Sequence, residues 1–167
     1  MLDIATFENK QIELVKEAVN MNELIEEVIT SEKSKTTKVV DIEFINNDNI
    51  KLYIDKLHFR NVLVNLVDNA IKYADQPVKI IVSILKSGSN AVISVKDNGI
   101  GIPAAHIAQV FDKFHRVPTG NIHSVKGTGL GLSYVKYIVE AHGGWVSVKS
   151  EINKGSEFIV SVPLSHG

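Results

Sequence analysis

Gly127, Gly129 and Gly131 alternate along the run Gly127-Thr128-Gly129-Leu130-Gly131-Leu132-Ser133, directly ahead of a helical apolar pattern at Leu132, Val135, Ile138 and Val139. Glycine opens φ and lets bare N–H groups approach a ligand, and the following helix adds unsatisfied donors and a positive dipole end. That combination suits an anion such as phosphate, while an ordinary glycine-rich turn into a helix is the plainer reading. The order Lys126-Gly127-Thr128 reverses the Gly-Lys-Ser/Thr of a P-loop, and the glycine spacing is not the dinucleotide G-x-G-x-x-G.

Three further groups carry polar chemistry. Asn65 and Asn69 stand four apart, with Lys72 and Tyr73 three and four residues on, so one helix face presents all four. Asn is a mediocre helix former, and stacked amides beside Lys and Tyr suit a polar cavity with an oxygen for a hard cation and donors for phosphates. A solvated helix face is the alternative. Asp97 follows Ala91, Ile93 and Val95 at period two, which turns it inward. There it would meet either a purine amino group or, in a simple Asp97-Asn98-Gly99 turn, nearby backbone N–H groups. Gly99 and Gly101, ahead of Ile102-Pro103, would let a flat ring approach the backbone. Phe111 and Phe114 flank Asp112-Lys113 and precede His115-Arg116, a pattern for a core-anchored loop that swings Arg116.

These residues need elements to place them. Residues 11–19 read as a first strand, and Asn20 to Glu23 has capping-box spacing for a helix. Short strands follow at 39–45 and 50–54, and Asp55 caps a long helix to about Ala74 striped by Phe59, Leu63, Leu66, Val67 and Ala70. Runs 78–85 and 91–97 read as a hairpin, 104–110 as a short helix, 132–142 as a helix ended by His142-Gly143-Gly144, and 145–149 and 157–162 as closing strands. This order predicts an α+β, two-layer sandwich with three main helices on one face of a mixed, mostly antiparallel sheet. Residues 1–10 read as the tail of an upstream helix, and 11–167 as one domain. With 167 residues and 44% hydrophobic content the chain suits a single core.

A net charge of −1 argues against a nucleic-acid or membrane-surface protein. No apolar run reaches membrane-spanning length, the N-terminus lacks the zones of a signal peptide, and zero cysteines exclude thiol chemistry and disulfides. Residues 1–35 carry eight acidic against four basic side chains. Residues 112–126 are basic, with Lys113, Arg116 and Lys126 against Asp112, and either help neutralise an anion at the glycine loop or form a solvated loop.

Four ordered motifs, Asn65-x-x-x-Asn69-Ala-x-Lys72-Tyr73, Asp97-x-Gly99-x-Gly101-Ile-Pro, Phe111-x-x-Phe114-x-Arg116 and Gly127-x-Gly129-x-Gly131-Leu, resemble the N, G1, F and G2 boxes of bacterial two-component sensor histidine kinases. The terminal stretch Gly155-Ser-x-Phe158 to Val162-Pro-Leu extends the likeness to the end of the chain. The resemblance implies the Bergerat ATP-binding fold of the GHKL superfamily, with ATP between the long helix and a lid over about 104–126. It implies that Asp97 holds the adenine amino group, with Gly99, Gly101 and Ile102 beside it, and that Asn69 ligates Mg²⁺. Asn65, Lys72 and Tyr73 would line the phosphate side, Arg116 would reach the γ-phosphate, and Lys126, Gly127, Thr128, Gly129, Leu130, Gly131 and Leu132 would surround the phosphates.

Kinases of this family phosphorylate a histidine within a pattern like His-Glu-x-x-x-Thr-Pro. None of His58, His106, His115, His123, His142 and His166 has that context. The chain therefore resembles the catalytic ATP-binding domain of a longer, homodimeric kinase, itself monomeric when isolated and cytoplasmic, whose partners are the parent's dimerisation and phosphoacceptor hairpin and a response regulator receiver domain. The resemblance is compatible with a parent kinase anchored in the inner or plasma membrane. Two other readings compete. A hydrolase such as the gyrase, mismatch-repair or chaperone ATPases usually carries a Glu base where Asn65 stands, and a non-catalytic nucleotide sensor would not need Asn69, Asp97, Lys72 and Arg116 together.

Overall fold

The computed structural model describes residues 12–46, 48–74, 77–112 and 131–164. Along the chain run β1 (Glu17–Asn20), α1 (Met21–Lys35), β2 (Val40–Asn46), β3 (Lys51–Ile54), α2 (Lys56–Lys72), β4 (Val78–Ser87) and β5 (Asn90–Asp97). The short α3 (Ala104–Ile107), then α4 (Gly131–Ala141), β6 (Trp145–Glu151) and β7 (Gly155–Pro163) complete the order. Five strands form one sheet in the order β2-β4-β5-β7-β6, and β1 pairs with β3 in a separate ribbon. Among the described residues only β2 and β4 run parallel, joined through β3 and α2, and every other ladder is antiparallel.

The expected α+β sandwich with a mixed, mostly antiparallel sheet is the observed architecture. Alternation sends Ile80, Val82 and Ile84 of β4, Ala91, Ile93 and Val95 of β5, and Phe158, Val160 and Val162 of β7 to one buried face. Met21, Leu24, Ile25 and Val28 of α1, Phe59, Val62, Leu63, Leu66, Val67 and Ala70 of α2, and Tyr134, Val135, Ile138 and Val139 of α4 join the same core. Each buried Val, Leu, Ile, Met or Phe among them contributes about 1.5–3 kcal/mol by leaving water.

The helix ends match the predicted caps. Asn20 accepts from the Glu23 amide at 3.2 Å, and Asp55 accepts from the His58 amide at 3.0 Å. At the far end of α2, the Lys38 ammonium donates to the Ile71, Lys72 and Ala74 carbonyls at 2.7, 3.2 and 3.0 Å, supplying donors to carbonyls that a helix terminus leaves over.

Two expected elements are shorter than the sequence suggests. The first strand spans only Glu17–Asn20, because its partner β3 has four residues; residues 12–16 run on without a ladder. The helix after Pro103 is regular only over Ala104–Ile107, and the chain continues in tighter turns, with Gln109 N–H bonded to His106 O and Asp112 N–H to Gln109 O. Residues 1–10 lie outside the described residues.

His142, just past α4, is buried against the edge of the Phe59 ring. The Asp55 amide donates to its Nε2 at 3.0 Å, and its Nδ1 lies 2.7 Å from the Ile138 carbonyl. A backbone N–H can only donate, so Nε2 is the bare nitrogen and the ring is neutral. Burial depresses its pKa, Lys16 and His58 add to that, and the Ile138 bond and Asp55 oppose it. The unfolded chain therefore binds this proton first as pH falls, so stability present above the ordinary value near 6.5 is lost below it. Urea unfolding is expected to give a lower ΔG at pH 5.5 than at pH 7.5, and His142→Gln, which keeps an acceptor without titrating, to flatten that slope. An unchanged slope in the variant would remove His142 as its cause.

Candidate functional site

Asp97 ends β5 opposite Ile80, next to the first glycine loop. Its Oδ1 accepts from the Gly99 amide at 2.8 Å and the Ser156 amide at 3.2 Å, so the local turn forms even though the residue sits on the inward side of its strand. Among the described residues Oδ2 has no hydrogen-bond partner. Burial raises the carboxyl pKa above its ordinary 3.8, and the two amide bonds act against that rise.

The loop glycines make room for neighbouring protein backbone. A Cβ on Gly99 would run into the Tyr73 carbonyl and Asp97 Oδ1, and one on Gly101, at φ +75°, into the Glu151 carbonyl. Protein backbone already fills the space beside these positions, and Ile100 N–H bonds the Tyr73 carbonyl at 3.0 Å. The close approach thus ties the Asp97 loop to the C-terminal end of α2 on one side and to the end of β6 on the other. Gly155, at φ +103°, meets the Asp97 carbonyl in the same way.

On α2, Asn65 and Asn69 are half-buried and outside the apolar stripe. Asn65 Nδ2 donates back to the Asn61 carbonyl at 2.8 Å, which leaves Oδ1 as the outward atom. A Cβ on Gly131 would lie 2.8 Å from that oxygen, so the last glycine of the phosphate-type loop abuts Asn65. Asn69 makes no side-chain hydrogen bond among the described residues, and its carbonyl accepts from the Tyr73 amide at 3.1 Å, where Tyr73 caps the helix. A rim therefore runs from Asp97 and Gly99 through Tyr73, Asn69 and Asn65 to Gly131.

Lys72 is not joined to either asparagine. Its ammonium pairs with Asp68 at 2.8 Å, beside Glu32 and Lys35 at the end of α1 and Lys38 just past it. An exposed i,i+4 pair is worth only about 0.3–0.5 kcal/mol, weak enough for a phosphate to displace. Ile102 donates its amide to Ser150 Oγ at 2.7 Å, and Ile102 and Leu132 both pack partly buried against the core. Phe111 meets the Phe158 ring edge-on at 6.0 Å, which fixes it against β7. Phe114, Arg116, Lys126, Gly127, Thr128, Gly129 and Leu130 lie outside the described residues.

Several supporting residues escape a one-dimensional reading. Asn98 donates to the Pro77 carbonyl at 3.1 Å and accepts from the Lys79 amide at 3.0 Å, pinning the loop to the start of β4. Ser150 and Ser156 are cross-strand partners in the β6–β7 ladder with their hydroxyls 2.7 Å apart. That pair links the Ile102 amide to the strand whose Ser156 amide holds Asp97. Six residues apart, the two face each other across the short β6–β7 turn.

Among the described residues no group of three His, Cys, Asp or Glu side chains could hold a metal, and no helix is long and apolar enough to cross a membrane. A profile of the histidine kinase-, DNA gyrase B- and HSP90-like ATPases matches residues 54–166, from the end of β3 through β7. The chain belongs to that family. Its likeness to sensor kinases is specific. Sensor protein RprX of Bacteroides fragilis is 38% identical over 168 residues, which span 98% of this chain and 32% of RprX, so the chain covers about a third of that relative. The catalytic domain of histidine kinase ThkA superposes with a TM-score of 0.80 at 29% identity, over 92% of this chain and 100% of that one. ThkA in complex with response regulator protein TrrA gives 0.80 at 27% identity, over 97% of this chain and 45% of the ThkA chain. Full-length ShkA in complex with AMPPNP gives 0.83 at 25% identity, over 98% and 34%. Among the members of its family, this histidine kinase-type domain thus shares the architecture of sensor-kinase catalytic domains.

Proposed function

We propose that this domain binds Mg-ATP along the rim from Asp97 to Gly131 and transfers the γ-phosphate to a histidine on a dimerisation and phosphoacceptor hairpin supplied by another part of a sensor kinase. The observation that carries the reading is Asp97. One carboxylate oxygen is fixed by two backbone amides, and the other, lacking a partner among the described residues, is an acceptor for an adenine amino group. Burial around it strengthens such a bond.

Mg²⁺ fits the donor set. Asn69 offers one neutral oxygen, and without an acidic cluster among the described residues a cation would take its remaining ligands from nucleotide phosphates and water, as Mg²⁺ does. Asn65 and Lys72 would orient the phosphates, and a Lys72 released from Asp68 would add charge. The Asn65 side chain cannot accept a proton from water, which favours transfer over hydrolysis. The complex of ThkA with TrrA supports a response regulator receiver domain as the downstream partner. On this reading the parent kinase is dimeric and this domain cytoplasmic.

The test is transfer of labelled γ-phosphate from ATP to a supplied histidine-bearing hairpin, with and without Mg²⁺. Transfer that requires Mg²⁺, with no acid-labile phosphate on the six histidines of this chain, is expected. ATP turnover to ADP and phosphate without transfer would favour the hydrolase instead. Asn69→Ala is expected to lower Mg²⁺-dependent ATP affinity about tenfold while leaving the circular-dichroism spectrum intact. Unchanged Mg²⁺ dependence in that variant would take the cation away from Asn69.

A further inference from the structure

Residues 12–15 cross the ends of two helices and are bonded to both. Asp55 uses its two carboxylate oxygens differently: Oδ1 caps α2 through the His58 amide at 3.0 Å, and Oδ2 accepts from the Val15 amide at 2.8 Å. Three residues earlier, the Ile12 amide donates to the Tyr137 hydroxyl of α4 at 3.1 Å. The same corner joins the helices directly. The Asp55 amide donates to His142 Nε2 at 3.0 Å, His142 Nδ1 meets the Ile138 carbonyl, and His58 Nδ1 lies 2.7 Å from the Tyr134 hydroxyl. Burial alone would raise the Asp55 pKa, but the bonds from the His58 and Val15 amides lead the effects that hold it below its ordinary value, so the carboxylate is ionised near neutral pH.

Both helices carry site residues away from that corner. α4 starts at Gly131, against Asn65 Oδ1, and its latched residue Tyr137 stands nearly two turns further on. α2 begins at the corner and presents Asn65 and Asn69 in its later turns. A helix moves as a stiff rod, so a tilt at one end displaces the other.

We propose that residues 12–15 are a strap, held by Asp55 and Tyr137, that sets the placement of α4 against α2 and so the fit of Gly131 to Asn65. Upstream displacement of the chain would then reach the phosphate side of the site without touching the nucleotide. The effect on nucleotide rests on the function proposed above, but the mechanical coupling between strap and helix start does not. By linkage, a nucleotide that bridges the Asn65 and Gly131 side must tighten the strap in return.

Two substitutions release the strap by unrelated chemistry. Asp55→Asn keeps a good N-cap for α2 but turns one acceptor into a donor facing the Val15 amide. Tyr137→Phe keeps the ring and charge and removes the acceptor of Ile12. The measurement is amide hydrogen exchange and ¹H–¹⁵N spectra of the free protein and of its complex with a non-hydrolysable ATP analogue and Mg²⁺. In the free variants, the Val15 amide in Asp55→Asn and the Ile12 amide in Tyr137→Phe are expected to exchange about tenfold faster. Resonances of Leu132 to Val135 and of the Asn65 side-chain amide are expected to shift in both variants and further in the double variant. In the unaltered protein the analogue is expected to slow exchange at Ile12 and Val15. Faster strap exchange with unmoved resonances at Leu132 to Val135 and Asn65 would overturn the coupling, leaving the strap a local fastening. Failure of the analogue to bind the unaltered protein would instead refute the nucleotide reading, while the free-protein spectra still decide the coupling. If Asp55→Asn does not fold, the Tyr137→Phe spectra decide the coupling by themselves.

Discussion

Asp97→Asn is expected to weaken ATP binding by about 1–3 kcal/mol, roughly five- to 150-fold, and to favour GTP relative to ATP. The direction follows from which oxygen is already used. Oδ1 is held by the Gly99 and Ser156 amides, so an asparagine here keeps its carbonyl oxygen on those donors and turns its NH₂ outward. An outward NH₂ meets the adenine amino group donor to donor, but finds an acceptor in guanine O6. The unaltered protein, with an outward carboxylate oxygen, should prefer ATP for the converse reason. Its ionised form makes the bond, and burial lifts the pKa above 3.8, so ATP affinity should decline as pH falls through that raised value. Calorimetry with ATP and GTP on both proteins checks this. Equal affinities for the two nucleotides in the unaltered protein would remove Asp97 from base recognition.

How much of the fold and site is legible in the sequence depends on whether the cause is local. The caps at Asn20 and Asp55, the α2 stripe and the β4–β5 hairpin rest on interactions within a few residues, and the sequence pattern places them closely. Strand partners are another matter. Alternation marks β2 and β3 as strands around a turn-like Asn46-Asn-Asp-Asn49, yet β2 pairs in parallel with β4 and β3 joins β1, because α2 intervenes and only tertiary packing chooses neighbours. In the site, the residue types around Asp97 are legible but the use of its glycines is not. Spacing shows that Gly99 and Gly101 permit a close approach; it does not show that the Tyr73 and Glu151 carbonyls are what approaches. Lys38 over the end of α2 is invisible for the same reason, since that contact closes a long loop whose partner is set by the fold.

Arg116→Ala is expected to slow phosphate transfer to a supplied histidine hairpin by about 10²-fold or more, the scale for removing one donor aimed at developing charge. Arg116 itself lies outside the described residues, which on this side end at Asp112. Phe111 is fixed by its edge-on contact with Phe158, so the segment that begins there has a firm root on β7. From that root Arg116 is five residues along the chain, a span of at most about 18 Å. A guanidinium that meets the γ-phosphate chiefly as its oxygens gain charge adds more to the transition state than to the bound state. ADP affinity should therefore stay nearly unchanged and ATP affinity fall only modestly, while the transfer rate drops. Single-turnover transfer beside nucleotide titrations separates the two effects. A rate within a few-fold of the unaltered protein would make Arg116 a surface residue, and the charge at the γ-phosphate would then have to come from Lys126 or from Lys72, whose present partner Asp68 is exposed and weakly held.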